Sequence, residues 1–268
     1  MERSALRSSL ALVLCLLIPL GGAADEPLLT VMGRQHHTDK VSHGFTQLYD
    51  SVLGASRQSV RRVLEVGVFF GSSLRMWRDF FPNAVVVGLD HFQGVQGWTN
   101  TRGAEKGRRA TFTNPDAFLN EWRAGKHARI ELVVGNQSDA ADMRRVVDEL
   151  RRGGPFDLIV EDGSHLSRDQ QRSFAALFPL LAARGVYIME DLHCSMQSGY
   201  DEPRGGPHTS LRVMQKLNRT GRLSSRHLAP EEAAYLEAWV ERVEIFDTKK
   251  GWALTGIATK RAEARAPS

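Results

Sequence analysis

Five short runs dominated by branched apolar residues, without a strict apolar-polar alternation, constrain this chain more than any other feature. They lie at residues 63–66, 84–89, 130–134, 156–160 and 185–189. A strand that carries apolar residues at successive positions buries both faces, which is the condition of a parallel sheet covered by helices on each side. Amphipathic stretches alternate with these runs, and helices are expected at 73–79, 139–151, 167–181 and 231–240. The alternation predicts an α/β fold of three layers. Two later segments, 243–246 and 252–259, flank Lys249, Lys250 and Gly251 and are expected to pair antiparallel at the end of the sheet. Stretches 93–115 and 197–210 read as loops from their Gly, Thr, Arg and Pro content, and the second follows an acidic cluster that it is placed to cover. Residues after 260 are expected to fray.

The first residues follow a different pattern. Arg3 and Arg7 precede the apolar run 10–20 (LALVLCLLIPL), and Gly21, Gly22, Ala23 and Ala24 follow it. A basic start, a short apolar middle and small residues make a secretory signal peptide, so residues 1–24 are expected to be a leader to the secretory pathway. An uncleaved signal-anchor or an organellar transit sequence is the alternative. The run falls short of the ~20 residues that span a bilayer, so no permanent membrane span is expected. Loss of the leader would remove Cys15 and leave Cys194 alone, and the core must then hold the fold without an intramolecular disulfide. The net charge of +4 is scattered along the chain, which argues against a nucleic-acid partner. A homo-oligomer is compatible with the sequence.

The first chemical signal follows the first strand, in Glu65-Val66-Gly67-Val68-Phe69-Phe70-Gly71-Ser72-Ser73. A glycine turn at the carboxyl end of a strand lets a ligand approach the backbone and meet a helix N-terminus. The pattern E-x-G-x-x-x-G lacks the third glycine of a dinucleotide fingerprint and the Gly-Lys-Ser/Thr of a P-loop. About twenty residues on, the second strand ends at Asp90, where a carboxylate can accept both hydroxyls of a ribose. A tight turn followed by a surface Asp is the plainer reading of the same residues. Together they favour a nucleoside ligand.

The second signal is acidic. The strand at 156–160 leads into Glu161-Asp162-Gly163-Ser164-His165, and the strand at 185–189 leads into Glu190-Asp191-Leu192-His193. In a parallel sheet both groups emerge at the same carboxyl edge as the glycine turn. Carboxylates gathered there repel one another unless a cation or protons intervene. Asp162, Glu190 and Asp191 are the candidate ligands, and an all-oxygen set suits a hard ion such as Mg2+. Helix capping is the alternative role of Asp162. His165 lies near these acids and is the candidate general base, with His193 as its rival. His36, His37 and His43 occupy a segment whose periodicity assigns them no place.

These stretches resemble the magnesium-dependent sugar O-methyltransferases of the macrocin and mycinamicin type. The resemblance runs from about Thr38 to Asp191, through Thr38-Asp39-Lys40 with His43 and Tyr49, LEVGVFFGSSLRMWRDFFP, VVGLD, GNQSD, DLIVEDGSH and YIMEDLH. It implies a Rossmann-like class I methyltransferase fold, a mostly parallel seven-stranded sheet with an antiparallel closing strand, over residues 63–260. It implies S-adenosyl-L-methionine as cofactor and a sugar or glycan hydroxyl as acceptor. Glu65, Gly67, Gly71 and Ser73 would surround the methionine end, Asp90 the ribose and Gln137 the adenine. Asp162, Glu190 and Asp191 would bind the metal, with His165 as base, and the N-terminal segment 25–62 would supply a lid. A catechol or phenolic O-methyltransferase uses the same metal logic, and Trp98, Phe112 and Tyr200 could stack on either acceptor. A nicotinamide-dependent oxidoreductase is disfavoured by the missing glycine, and a non-catalytic glycan-binding module by the intact acids and histidine.

Overall fold

The computed structural model describes residues 26–93 and 115–265. Its centre is a seven-stranded sheet: β1 (Arg62–Val66), β2 (Val85–Asp90), β3 (Ile130–Val134), β4 (Phe156–Glu161), β5 (Leu181–Met189), β6 (Val240–Asp247) and β7 (Leu254–Lys260). The spatial order is β3-β2-β1-β4-β5-β7-β6. All pairings from β3 to β5 are parallel, and β7 runs antiparallel to both of its neighbours. The strand order reverses between β1 and β4, and the crevice at such a point is where open α/β sheets bind ligands.

The successive apolar residues of these strands are explained by the packing. Along β1 and β4, Leu64 and Ile159 enter one core, while Val63, Leu158 and Val160 enter the other. The first core is filled by α5 (Ala140–Arg152), α6 (Ser167–Leu177), α7 (Ser210–Thr220) and α8 (Pro230–Trp239). The second is filled by α1 (Leu28–Gln35), α2 (Phe45–Leu53), α3 (Ser72–Phe80) and α4 (Pro115–Arg123). Successive residues of a strand point to opposite faces, so both must be apolar. Fully buried Trp77 of α3 stacks on Phe81 and lies 6.0 Å from Tyr49 of α2, which joins the N-terminal helices to the domain.

Several boundaries differ from expectation. The helix expected over 167–181 stops at Leu177, and a 3-10 turn, Phe178–Leu180, leads directly into β5. Pro179 enforces the stop, since it has no backbone N–H to continue the helix. Trp252, expected at the start of a strand, lies in the turn before β7. Helices α1, α2, α4 and α7 had no individual assignment. The expected loop at 197–210 is bound down: Asp201 accepts from the N–H groups of Ser167 and Arg168 at 2.8 Å each and so caps α6 from across the chain. The tail expected to fray is held as far as Arg265, whose N–H donates to Ala238 O at 2.9 Å. No helix among the described residues is long and apolar enough to cross a membrane. The expected leader, and most of the expected loop at 93–115, lie outside the described residues.

Candidate active site

The carboxyl ends of β1, β4 and β5 meet at one point, and a lysine occupies it. The Lys40 Nζ lies 2.5 Å from Asp162 Oδ2, 2.9 Å from Glu190 Oε2 and 3.2 Å from Glu65 Oε1. Lys40 sits on a short 3-10 helix, Asp39–Val41, between α1 and α2, and is fully buried. Burial alone would lower its pKa, but Asp162, Glu190 and Glu65 raise it well above the ordinary lysine value. The ammonium is therefore the charge that makes three neighbouring carboxylates tolerable. Burial raises the pKa of Glu190, with Asp162 and Asp191 adding to it against the pull of Lys40. Glu65 is raised by burial too, with Lys40 opposing, and its other oxygen accepts from Ser73 Oγ at 2.7 Å.

The glycine turn sits against this cluster. Gly67 has φ +92°, and a Cβ there would stand 2.1 Å from the carbonyl oxygen of Asp162, so the turn after β1 and the loop after β4 touch through bare backbone. Gly71, at φ +68°, precedes α3, and a Cβ there would strike the Phe118 ring at 2.5 Å. Both positions need glycine for conformation and for space. Asp90 braces the turn: its Oδ2 accepts from Val68 N at 2.8 Å, and its Oδ1 accepts from Phe92 N at 2.9 Å. Gln137 lies across the next loop, donating to Glu161 Oε1 at 3.0 Å and accepting from Ser164 N at 2.8 Å. Buried Glu161 has its pKa pushed up to about 7 by desolvation, against the Gln137 hydrogen bond.

Among the described residues, Asp162, His165 and Asp191 form a group that could hold a metal ion. One donor atom from each lies within 4.8 Å of the others, and His165 Nε2 is 3.6 Å from Asp191 Oδ2. The structure thus groups His165 with the two aspartates, while Glu190, expected as the third ligand, turns one oxygen to Lys40. Glu190 Oε1 and Asp191 Oδ1 are buried acceptors without a hydrogen-bond partner, and His165 Nδ1 is likewise unpartnered. Orphaned carboxylate oxygens facing further acids fit a hard divalent cation, which would satisfy them at once. His165 (φ +58°) and Asp191 (φ +56°) are both left-handed, a conformation costly outside glycine that clusters at functional sites. His193, the rival base, has Nδ1 3.8 Å from Asp191 Oδ1, and burial lowers its pKa against the pull of that carboxylate.

Lys40 and Glu161 escaped the sequence reading as site residues. Lys40 is 122 positions from Asp162, and although Thr38-Asp39-Lys40 belongs to the stretches that carry the resemblance, nothing in the spacing announces that this lysine will be buried. Tyr200 lies with its hydroxyl 3.0 Å from Cys194 Sγ, while Trp98 and Phe112 lie outside the described residues. Replacing Lys40 with Met leaves buried carboxylates without their counter-ion and should cost about 3–5 kcal/mol of stability in urea unfolding. Lys40→Arg should retain a large part of it. An unchanged unfolding midpoint in Lys40→Met would show that the cluster does not depend on this ammonium.

Residues 64–192 match the family model described as "Methyltransferase domain". A tetracenomycin-C rhamnosyl 3'-O-methyltransferase of Streptomyces olivaceus is 32% identical over 76% of this chain and 47% of its own length. The mycinamicin VI 2''-O-methyltransferase of Micromonospora griseorubida is 31% identical over 74% of this chain and 45% of its own. L-olivosyl-oleandolide 3-O-methyltransferase of Streptomyces antibioticus is 33% identical, covering 68% and 41%. The solved MycE methyltransferase, in complex with Mg and SAH, superposes with TM-score 0.62 at 26% identity, over 91% of this chain and 58% of that one. The chain thus spans less than half the length of each of these three sequence relatives. With a Rossmann-like sheet, a glycine turn and an acidic carboxyl edge in these positions, the chain belongs to the methyltransferase family and shares most of its length with that family's sugar O-methyltransferases.

Proposed function

We propose that this chain transfers a methyl group from S-adenosylmethionine to a hydroxyl of a sugar or glycoside, with magnesium bound at the acidic edge. The observation that carries the reading is the meeting of Asp162, Asp191 and His165 at the carboxyl edge, beside the Gly67 turn. MycE, a relative in fold and sequence, has been solved in complex with Mg, SAH and mycinamycin VI. Glu65, Gly67, Gly71 and Ser73 would hold the methionine end of the cofactor, Asp90 the ribose and Gln137 the adenine end. Asp162, Glu190 and Asp191 would hold the metal. When bound, S-adenosylmethionine supplies an electrophilic methyl group, and magnesium lowers the pKa of a hydroxyl it polarises.

The chain's own residues do the rest. His165 accepts the proton of the acceptor hydroxyl, and Asp191, 3.6 Å from its Nε2, stabilises the imidazolium that forms. Lys40 holds Asp162 and Glu190 by one oxygen each, which fixes the direction of the other. Buried Tyr49, Lys40 and Glu190 keep water from the floor of the site. Fixing the reactants in line replaces a bimolecular encounter and supplies much of the rate. The basic, apolar and small-residue pattern of residues 1–24 supports delivery of the chain into the secretory pathway.

Calorimetry with S-adenosylhomocysteine, with and without magnesium, tests the cofactor assignment. Saturable one-site binding is expected, and its absence in folded protein would overturn the methyltransferase reading. His165→Ala should lower turnover roughly 100- to 10,000-fold while S-adenosylhomocysteine binding persists. Wild-type turnover in that variant would remove His165 from the role of base. In a host with a secretory route, mass spectrometry should find an N-terminus near Asp25 in the exported protein; an intact Met1 retained in the cytosol would contradict the leader.

A further inference from the structure

The rim of the site carries an exposed aromatic group on a turn held by several hydrogen bonds. Trp252 is 57% exposed, and it is the bulkiest of the large apolar side chains exposed among the described residues. It stands in the turn between β6 and β7, and that turn is tightly built. The Asp247 carboxylate accepts from Gly251 N at 2.6 Å and from Lys249 N at 3.2 Å. Thr248 N donates to Ala253 O at 3.0 Å, and Trp252 N donates to Lys249 O at 3.2 Å. Thr248 Oγ1 also donates to His43 O at 2.5 Å, which ties the turn to the segment that carries Lys40.

The indole is connected to the acids by a short chain of rings. It meets the His43 ring edge-on at 5.2 Å and lies near-parallel to the His193 ring, 6.3 Å away with 29° between the planes. His193 Nδ1 is in turn 3.8 Å from Asp191 Oδ1 and has no hydrogen-bond partner. The core has no use for Trp252, whose larger part faces solvent. An exposed aromatic on a hydrogen-bonded turn beside orphaned polar atoms is the composition of a ligand wall, which couples apolar contact area with a few orienting groups.

We propose that Trp252, with His43 and His193, forms the acceptor platform. The C–H face of a pyranose ring stacks on the indole, while a ring hydroxyl points to His193 and Asp191. This assignment rests on the sugar O-methyltransferase reading above and adds the residues that receive the sugar. A pyranose suits this wall because it has an apolar C–H face and a polar edge, which match an indole beside polar nitrogen and oxygen atoms.

The test uses methyl α-L-rhamnopyranoside as probe, with protein loaded with magnesium and S-adenosylhomocysteine for binding and with S-adenosylmethionine for rates. Saturation-transfer NMR should place the strongest signals on the ring C–H protons of the glycoside. Trp252→Ala should abolish those signals and raise KM at least tenfold, with S-adenosylhomocysteine affinity within twofold of wild type. Trp252→Phe, which keeps a ring, should recover part of the loss. An unchanged KM and unchanged signals in Trp252→Ala would overturn the platform. So would a wild-type protein that binds S-adenosylhomocysteine but not the glycoside, or one in which only catechol shows saturation transfer. Failure of the wild type to bind S-adenosylhomocysteine at all would instead bring down the underlying methyltransferase reading, and the platform with it.

Discussion

A single ammonium group, the Nζ of Lys40, lies among carboxylates from the ends of β1, β4 and β5. Each of those acids is placed by a strand end, so their closeness is a consequence of sheet order and not of any local choice. Three carboxylates within a few ångströms, two of them fully buried, would otherwise have to take up protons or move apart. Lys40 removes that conflict and fastens the segment between α1 and α2 over the edge of the sheet. The N-terminal helices and the acidic edge are joined through this contact, while Tyr49 and Trp77 join them through apolar packing.

The rest of the site is built from close approach. Because Gly67 has no side chain, the turn after β1 can touch the Asp162 carbonyl, and the glycine turn and the acidic loop become walls of one crevice. Asp90 then stiffens the turn by accepting backbone N–H groups, while Gln137 bridges Glu161 and the loop that carries His165. The left-handed backbone at His165 and Asp191 aims both side chains at the same place. Polar atoms there that no protein group satisfies fit the role of contacts to a ligand or ion.

Burial also separates the roles of similar residues. Glu65 and Glu190 are sealed beneath Lys40, while Asp162, His165 and Asp191 retain access to solvent. Lys40 fixes the direction of the sealed acids, and the accessible group is open to a ligand arriving from solvent. Cys194 shows the same principle in a different setting: its buried thiol, with a pKa pushed up to about 11 by desolvation, faces Tyr200 and is held as a neutral group.

Much of this was legible in the amino-acid order. Successive apolar residues, such as Leu158, Ile159 and Val160, required strands covered on both faces, and the alternation of such runs with amphipathic stretches required a parallel sheet. Once the sheet is parallel, the residues after each strand share one edge, so Glu65, Asp90, Asp162 and Asp191 could be grouped from the sequence. The strand ends also located His165. Tertiary structure alone decided the rest. Lys40 acts across 122 residues, and its selection from among the chain's other basic residues depends on how α1 and α2 fold over the edge. The pairing of Glu190 with that lysine, the capping of α6 by Asp201 and the position of Trp252 beside His193 likewise join segments distant in sequence. The physical reason is the same in each case: periodicity reports which face of an element is buried, whereas the partner a polar group finds is set by packing between elements.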